Sequence, residues 1–74
     1  MTIEQAKQRV NREGGLAAAG LWETHHMMAH FSWSEGLLKI RIKQGCPHHH
    51  EGGKNKFEPK KVLLWYEQVF ILHL

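Results

Sequence analysis

The side chains best able to do chemistry are concentrated in residues 34–57, SEGLLKIRIKQGCPHHHEGGKNKF. Lys39, Arg41, Lys43, Lys54 and Lys56 supply positive charge, and His48-His49-His50 supply imidazoles. Such cations suit an anionic partner, although a charged helix face is also a common solvated surface and a lysine-bearing loop tip a common solubilising one. Lys39 and Lys43 are four apart and share a helix face, whereas Arg41 is rotated by about 200° from Lys39. Only the first two can therefore meet one partner surface.

The histidines invite a metal reading, which the spacing does not support. In a strand His48 and His50 point to one side and His49 to the other. His26 and His30 lie one helical turn apart, a spacing that can chelate zinc. The metalloprotease motif places an acid between such a pair and this chain does not; Cys46 lacks a Cys-x-x-Cys partner. No metal and no cofactor is expected. No nucleophile–base pair or acid pair has workable spacing either, so no catalytic residue is assigned and an enzyme is not expected.

The elements that position these residues are short. Ser34 is a good N-cap, and Leu37, Leu38, Ile40 and Ile42 supply apolar positions behind it. Gly45 suits a left-handed C′ position and Pro47 stops any continuation. His48–Glu51 and Lys54–Phe57, flanking Gly52-Gly53, read as a hairpin. Upstream, residues 2–13 predict a helix capped by Thr2 with Gln5 completing a capping box. Its apolar stripe of Ile3, Ala6 and Val10 is thin, which predicts light packing. Gly14-Gly15 breaks it, and residues 14–21 read as a loose turn or a turn or two of helix. Thr24 caps a predicted helix over 25–31 that buries Met27, Met28 and Phe31. Ser32-Trp33 then makes a turn into the Ser34 helix, a helix-turn-helix arrangement.

Glu58-Pro59 opens a last helix that is expected to run to residue 74, with Pro59 at N1. Val62, Trp65, Val69 and Leu72 form one stripe, and Leu63, Tyr66 and Phe70 another. The helix is apolar nearly all round after Gln68, so residues 69–74 are expected to meet another copy or a hydrophobic groove. Trp22, Trp33, Trp65 and Phe57 read as core rather than as a base-stacking platform.

Seventy-four residues suffice for one small domain, which buries only roughly 60–65% of its unfolded surface. The formal charge is +3 with the seven histidines neutral. The single cysteine, Cys46, suits a reducing cytosol. Neither a signal peptide nor the ~18 apolar residues of a membrane span is evident. A cytoplasmic protein with no membrane partner is expected.

In order along the chain, Met28-Ala29, Phe31, Ser34, Ile42-Lys43-Gln44-Gly45-Cys46-Pro47, Phe57, Glu58-Pro59-Lys60-Lys61-Val62 and Trp65 form a pattern. It resembles the winged helix-turn-helix domain shared by phage excisionases, mercury-responsive-type regulators and phage small terminase subunits. The resemblance spans roughly residues 21–68. It implies a mainly α fold with a small β-hairpin, one winged helix-turn-helix domain over 1–74 with its core at about 21–68.

It also implies non-catalytic binding of double-stranded DNA. The helix after Ser34 would read the major groove, and the 48–56 wing the backbone or minor groove. The implied contact residues are Ser34, Glu35, Lys39, Lys43, His48, His50, Lys54, Asn55 and Lys56. A phage or mobile-element excisionase, with an integrase or recombinase as partner, or a small transcription regulator, is the implied role. The alternatives are the DNA-recognition domain of a terminase small subunit, and a protein-binding adaptor or inhibitor that uses the fold without DNA. Glu35-Gly36 stands where the family often carries DNA-touching polar residues, and Leu37 where it often has Thr. Specificity then shifts to Lys39, Lys43, the wing or DNA shape.

Overall fold

Helix α1 (Ile3–Arg12) opens with the expected capping box: Thr2 Oγ1 accepts from the Gln5 N–H at 3.1 Å and Gln5 Oε1 from the Thr2 N–H at 2.9 Å. A computed structural model describes residues 1–72 of the chain. Contrary to the light packing expected, Ala6 and Val10 are buried, because α1 lies along α2 (Thr24–Phe31). A stripe this thin suffices because Ala6 lets the two backbones approach closely. Gly14 and Gly15, at φ +99° and +93°, turn the chain out of α1 into a single 3₁₀ turn at Leu16–Ala18.

The cap of α2 is Glu23 rather than Thr24. His26 Nδ1 accepts the Glu23 N–H at 2.9 Å, so an imidazole in the first turn supplies the acceptor and the helix starts one residue earlier. Ser32, in the left-handed region at φ +57°, ends α2. Helix α3 (Glu35–Lys43) follows, with Ser34 Oγ accepting from the Leu37 N–H at 3.1 Å. Gly45, at φ +107°, closes it as expected.

Strands β1 (His49–Glu51) and β2 (Lys54–Lys56) pair antiparallel in the register His49↔Lys56, His50↔Asn55, Glu51↔Lys54. Gly52 and Gly53 both have positive φ, as a two-residue hairpin turn of the right twist requires. The strand begins at His49, so His48 stays outside the hairpin. Just beyond β2, Phe57 forms an antiparallel bridge with Trp22.

Helix α4 (Pro59–Tyr66) starts at Pro59 but does not continue as one α-helix to residue 74. It widens into a π-helical turn over Glu67–Ile71, with the Leu72 N–H reaching Glu67 O at 2.7 Å. This wider turn accompanies the packing of Phe70 on Trp65 and Tyr66, ring centroids 5.5 and 5.0 Å away. Of the apolar end expected at 69–74, residues 73 and 74 lie outside the described residues.

The core joins α2, α3 and α4 to the segments before α2 and after β2 through Trp22, Met27, Trp33, Leu38, Cys46, Phe57 and Val62. Phe31 stacks on Trp33 at 4.2 Å and Trp65 packs half-buried against the cluster, so the aromatic side chains serve as core. The molecule is mainly helical with one two-stranded antiparallel sheet. Among the described residues, no helix is long and apolar enough to cross a membrane.

Candidate nucleic-acid interface

Helix α3 divides its residues cleanly between two faces. Leu38 is buried, and Leu37, Arg41 and Ile42 are half-buried; Gly36, Lys39, Ile40 and Lys43 are exposed. Those four recur at the i, i+3, i+4, i+7 spacing of one helix face. The separation of Arg41 from the lysines has a cause. Its guanidinium lies over the rings of Trp33 and Phe70, 5.4 and 4.6 Å from their centroids, and Nη1 donates to Gln44 Oε1 at 2.9 Å. Its Nε is buried with no hydrogen-bond partner among the described residues, which suits a cation seated against aromatic faces.

Ile40 was expected among the apolar positions of this helix, yet it is 50% exposed on the lysine face. Its spacing from Lys39 and Lys43 carried that information, since a residue next to Lys39 and three before Lys43 must share their side of the helix. Ser34 is exposed, and its hydroxyl is engaged as the α3 cap. Glu35 is exposed in the first turn and pairs with the Met1 ammonium at 3.1 Å.

In the hairpin, opposed residues share a face. His50 and Asn55 occupy one side, where His50 Nδ1 meets Asn55 Oδ1 at 3.0 Å. Lys54 and Lys56 occupy the other, with His49 and Glu51. Lys56 is drawn to Glu23, 3.4 Å away, and His49 to Glu58, 3.5 Å away. Burial alone would raise the Glu23 carboxyl; the hydrogen bond and charge of Lys56 outweigh it and hold Glu23 below the ordinary range. His48 turns back on the loop, its Nδ1 3.0 Å from the Cys46 carbonyl.

The nine residues expected at the interface therefore fall into groups. Lys39, Lys43 and Lys54 are exposed and form no ion pair among the described residues. Lys56 and His48 are tied to the domain itself. His50 and Asn55 are bonded to each other on the opposite hairpin face from Lys54. Glu35 borders one open depression with Gly53, Lys54 and Asn55. Glu35, one turn before Lys39, thus borders the same depression as the hairpin tip.

His26 and His30 do not converge: His30 is exposed beside the Trp22 ring at 5.1 Å. Glu13, His25 and His26 converge instead, with Glu13 Oε1 2.9 Å from His25 Nε2 and 3.2 Å from His26 Nε2. His26 Nδ1 already accepts the Glu23 N–H, so its neutral ring carries the proton on Nε2 and donates it to Glu13. The lone pair a metal would need is thus protonated, and the trio is a hydrogen-bonded latch between α1 and α2. The bond from His25 holds the Glu13 carboxyl below its ordinary range, and burial pushes His26 down. Cys46 is buried and its thiol is raised by burial to about 11, which keeps it protonated rather than nucleophilic.

Comparison of the chain with known protein families, with curated proteins and with solved structures finds no match.

Proposed function

We propose that this chain is a non-catalytic double-stranded DNA-binding domain of the winged helix-turn-helix kind. Helix α3 would enter the major groove and the hairpin would act as the wing. The observation that carries this reading is the composition of the outer face of α3: Lys39 and Lys43 exposed and without an ion pair among the described residues, Arg41 withdrawn, and Lys54 of the hairpin bordering the same depression as Glu35. A helix presented on a short hairpin-flanked unit fits a groove about 12 Å wide. The resemblance described above favours an excisionase, with an integrase or recombinase as partner, or a small transcription regulator. Excisionase copies line up on adjacent sites, and the exposed Leu64, Val69, Ile71 and Leu72 offer an apolar surface for such contacts.

The DNA-recognition domain of a terminase small subunit would use the same interface. An adaptor or inhibitor that binds protein is the competing class. It is favoured by Glu35 at the head of α3 and by that same apolar surface on α4 and the π-helical turn that follows it.

Fluorescence titration of a labelled duplex at 50 and 200 mM salt tests the proposal. Three phosphate contacts give a slope of about −2.7 in log–log form, an affinity loss of roughly forty-fold over that range. Absence of binding at the lower salt favours the adaptor. Footprints at repeated sites beside an integrase attachment site would single out the excisionase.

A further inference from the structure

We propose that Gly36 and Ile40 form the base-reading patch of α3 and receive the 5-methyl group of thymine in the major groove. The inference rests on the DNA-binding reading above and adds to it what the helix would read.

A single exposed isoleucine is ordinary on a protein surface. Here two further observations accompany it. Ile40 stands on the face of α3 whose lysines form no ion pair among the described residues, adjacent to Lys39 and three positions before Lys43. One turn earlier on the same line is Gly36. Its φ does not lie in the left-handed region, so the backbone has no need of a glycine there. An added Cβ would meet nothing nearer than Ser34 Oγ at 4.0 Å, so packing within the domain has no need of one either.

The glycine weakens the helix without a local structural return. What it leaves is a bare stretch of helix surface. Side chains on a helix lean toward its N-terminus, so Ile40 inclines toward that bare turn. The result is a bare turn beside Ile40, with Lys39 and Lys43 both along one edge of the Gly36–Ile40 line.

A backbone that can come this close, beside a branched apolar side chain and with two phosphate-seeking cations along one edge, suits one feature of the groove floor. The thymine methyl is the apolar group that base edges present in the major groove. The lysines along that edge would hold the helix in register on one phosphate backbone while Ile40 covers the methyl.

The test begins with selection of binding duplexes from a random-sequence library by the full chain. The selected duplex is then made with thymine and with deoxyuridine, which lacks the methyl. Wild type is expected to bind the deoxyuridine duplex about four-fold more weakly per contacted methyl. Ile40→Ala is expected to bind both duplexes equally, with an unchanged salt slope. Gly36→Ala separates function from folding. It is expected to raise the thermal midpoint by about 2–4 °C while lowering DNA affinity several-fold, because its methyl fills the approach.

Equal wild-type affinity for the two duplexes, or a Gly36→Ala variant that binds as tightly as wild type, overturns the inference and leaves DNA binding standing. Failure of wild type to bind any duplex at 50 mM salt overturns the DNA-binding reading, and this inference with it.

Discussion

Trp22 and Phe57 exchange both backbone hydrogen bonds, at 2.8 Å from the Trp22 N–H to Phe57 O and 2.7 Å in return. This pair fastens the chain just before α2 to the chain just after β2. The hairpin is therefore held at its base to the segment that leads into α2, and the position of Lys54 is set by the core rather than by a free loop. Phe57 is fully buried and Trp22 nearly so, so the same two residues anchor the bridge through their side chains.

Truncation of Phe57 should be among the most damaging single changes. Phe57→Ala is expected to cost about 3–5 kcal/mol, a large share of the stability of a domain this small. Urea unfolding measures it. In the wild type, the Trp22 and Phe57 amides should exchange with solvent as slowly as those of the α2 core; fast exchange would show that the hairpin detaches from the fold.

Lysines on the proposed interface should differ in a predictable order. Lys39→Ala, Lys43→Ala and Lys54→Ala are each expected to flatten the salt dependence of DNA binding by about one unit of slope, with little change in stability. Lys56→Ala should affect DNA binding less, because Lys56 is occupied by Glu23. Its loss should change stability by no more than about 1 kcal/mol. Equal effects at all four positions would show that the Glu23 pair opens on DNA.

Arg41 and Phe70 should be energetically coupled. The guanidinium sits 4.6 Å from the Phe70 ring centroid and ties α3 to the π-helical turn after α4. A double-mutant cycle with Arg41→Met and Phe70→Leu is expected to give a coupling energy of about 1 kcal/mol. Additive effects would mean that the turn does not pack on α3 in solution.

Acid should weaken the fold in two stages. Burial lowers the His26 pKa below 6.5, so the unfolded chain takes up a proton that the folded ring resists. Stability from this source is complete above about pH 6.5 and falls as the pH drops below it. Glu13 is lowered from 4.5 by the hydrogen bond from His25, and Glu58 from 4.5 by that from Lys61. Their contributions are present above 4.5 and are lost as the pH falls through the lowered values. Thermal midpoints measured from pH 8 to pH 3 should decline in both windows, and a rise between pH 7 and pH 5.5 would contradict the latch.

Cys46 should behave as an inert core thiol. With burial raising its pKa to about 11, a thiol reagent at neutral pH is expected to react only as the domain unfolds, so labelling should track the urea transition. Rapid labelling of the native protein would place Cys46 at the surface.

Features that depend on neighbours a few residues apart are legible in the chain itself. Thr2 with Gln5, Ser34, Gly45, Gly52-Gly53 and Pro59 each satisfy or terminate backbone hydrogen bonding locally, and each stands where its chemistry predicts. Rotation about one helix likewise separates Lys39 and Lys43 from Arg41. Only the tertiary structure decided what depends on packing between distant segments. It buried Ala6 and Val10 under α2, brought Glu13 to His25 and His26, paired Lys56 with Glu23, and laid Arg41 on Phe70. It also replaced Thr24 by Glu23 at the head of α2 and opened the last helix into a π turn. Local hydrogen-bond geometry is written in adjacent residue types, whereas burial and ion pairing are set by whichever surfaces meet when the chain closes on its core.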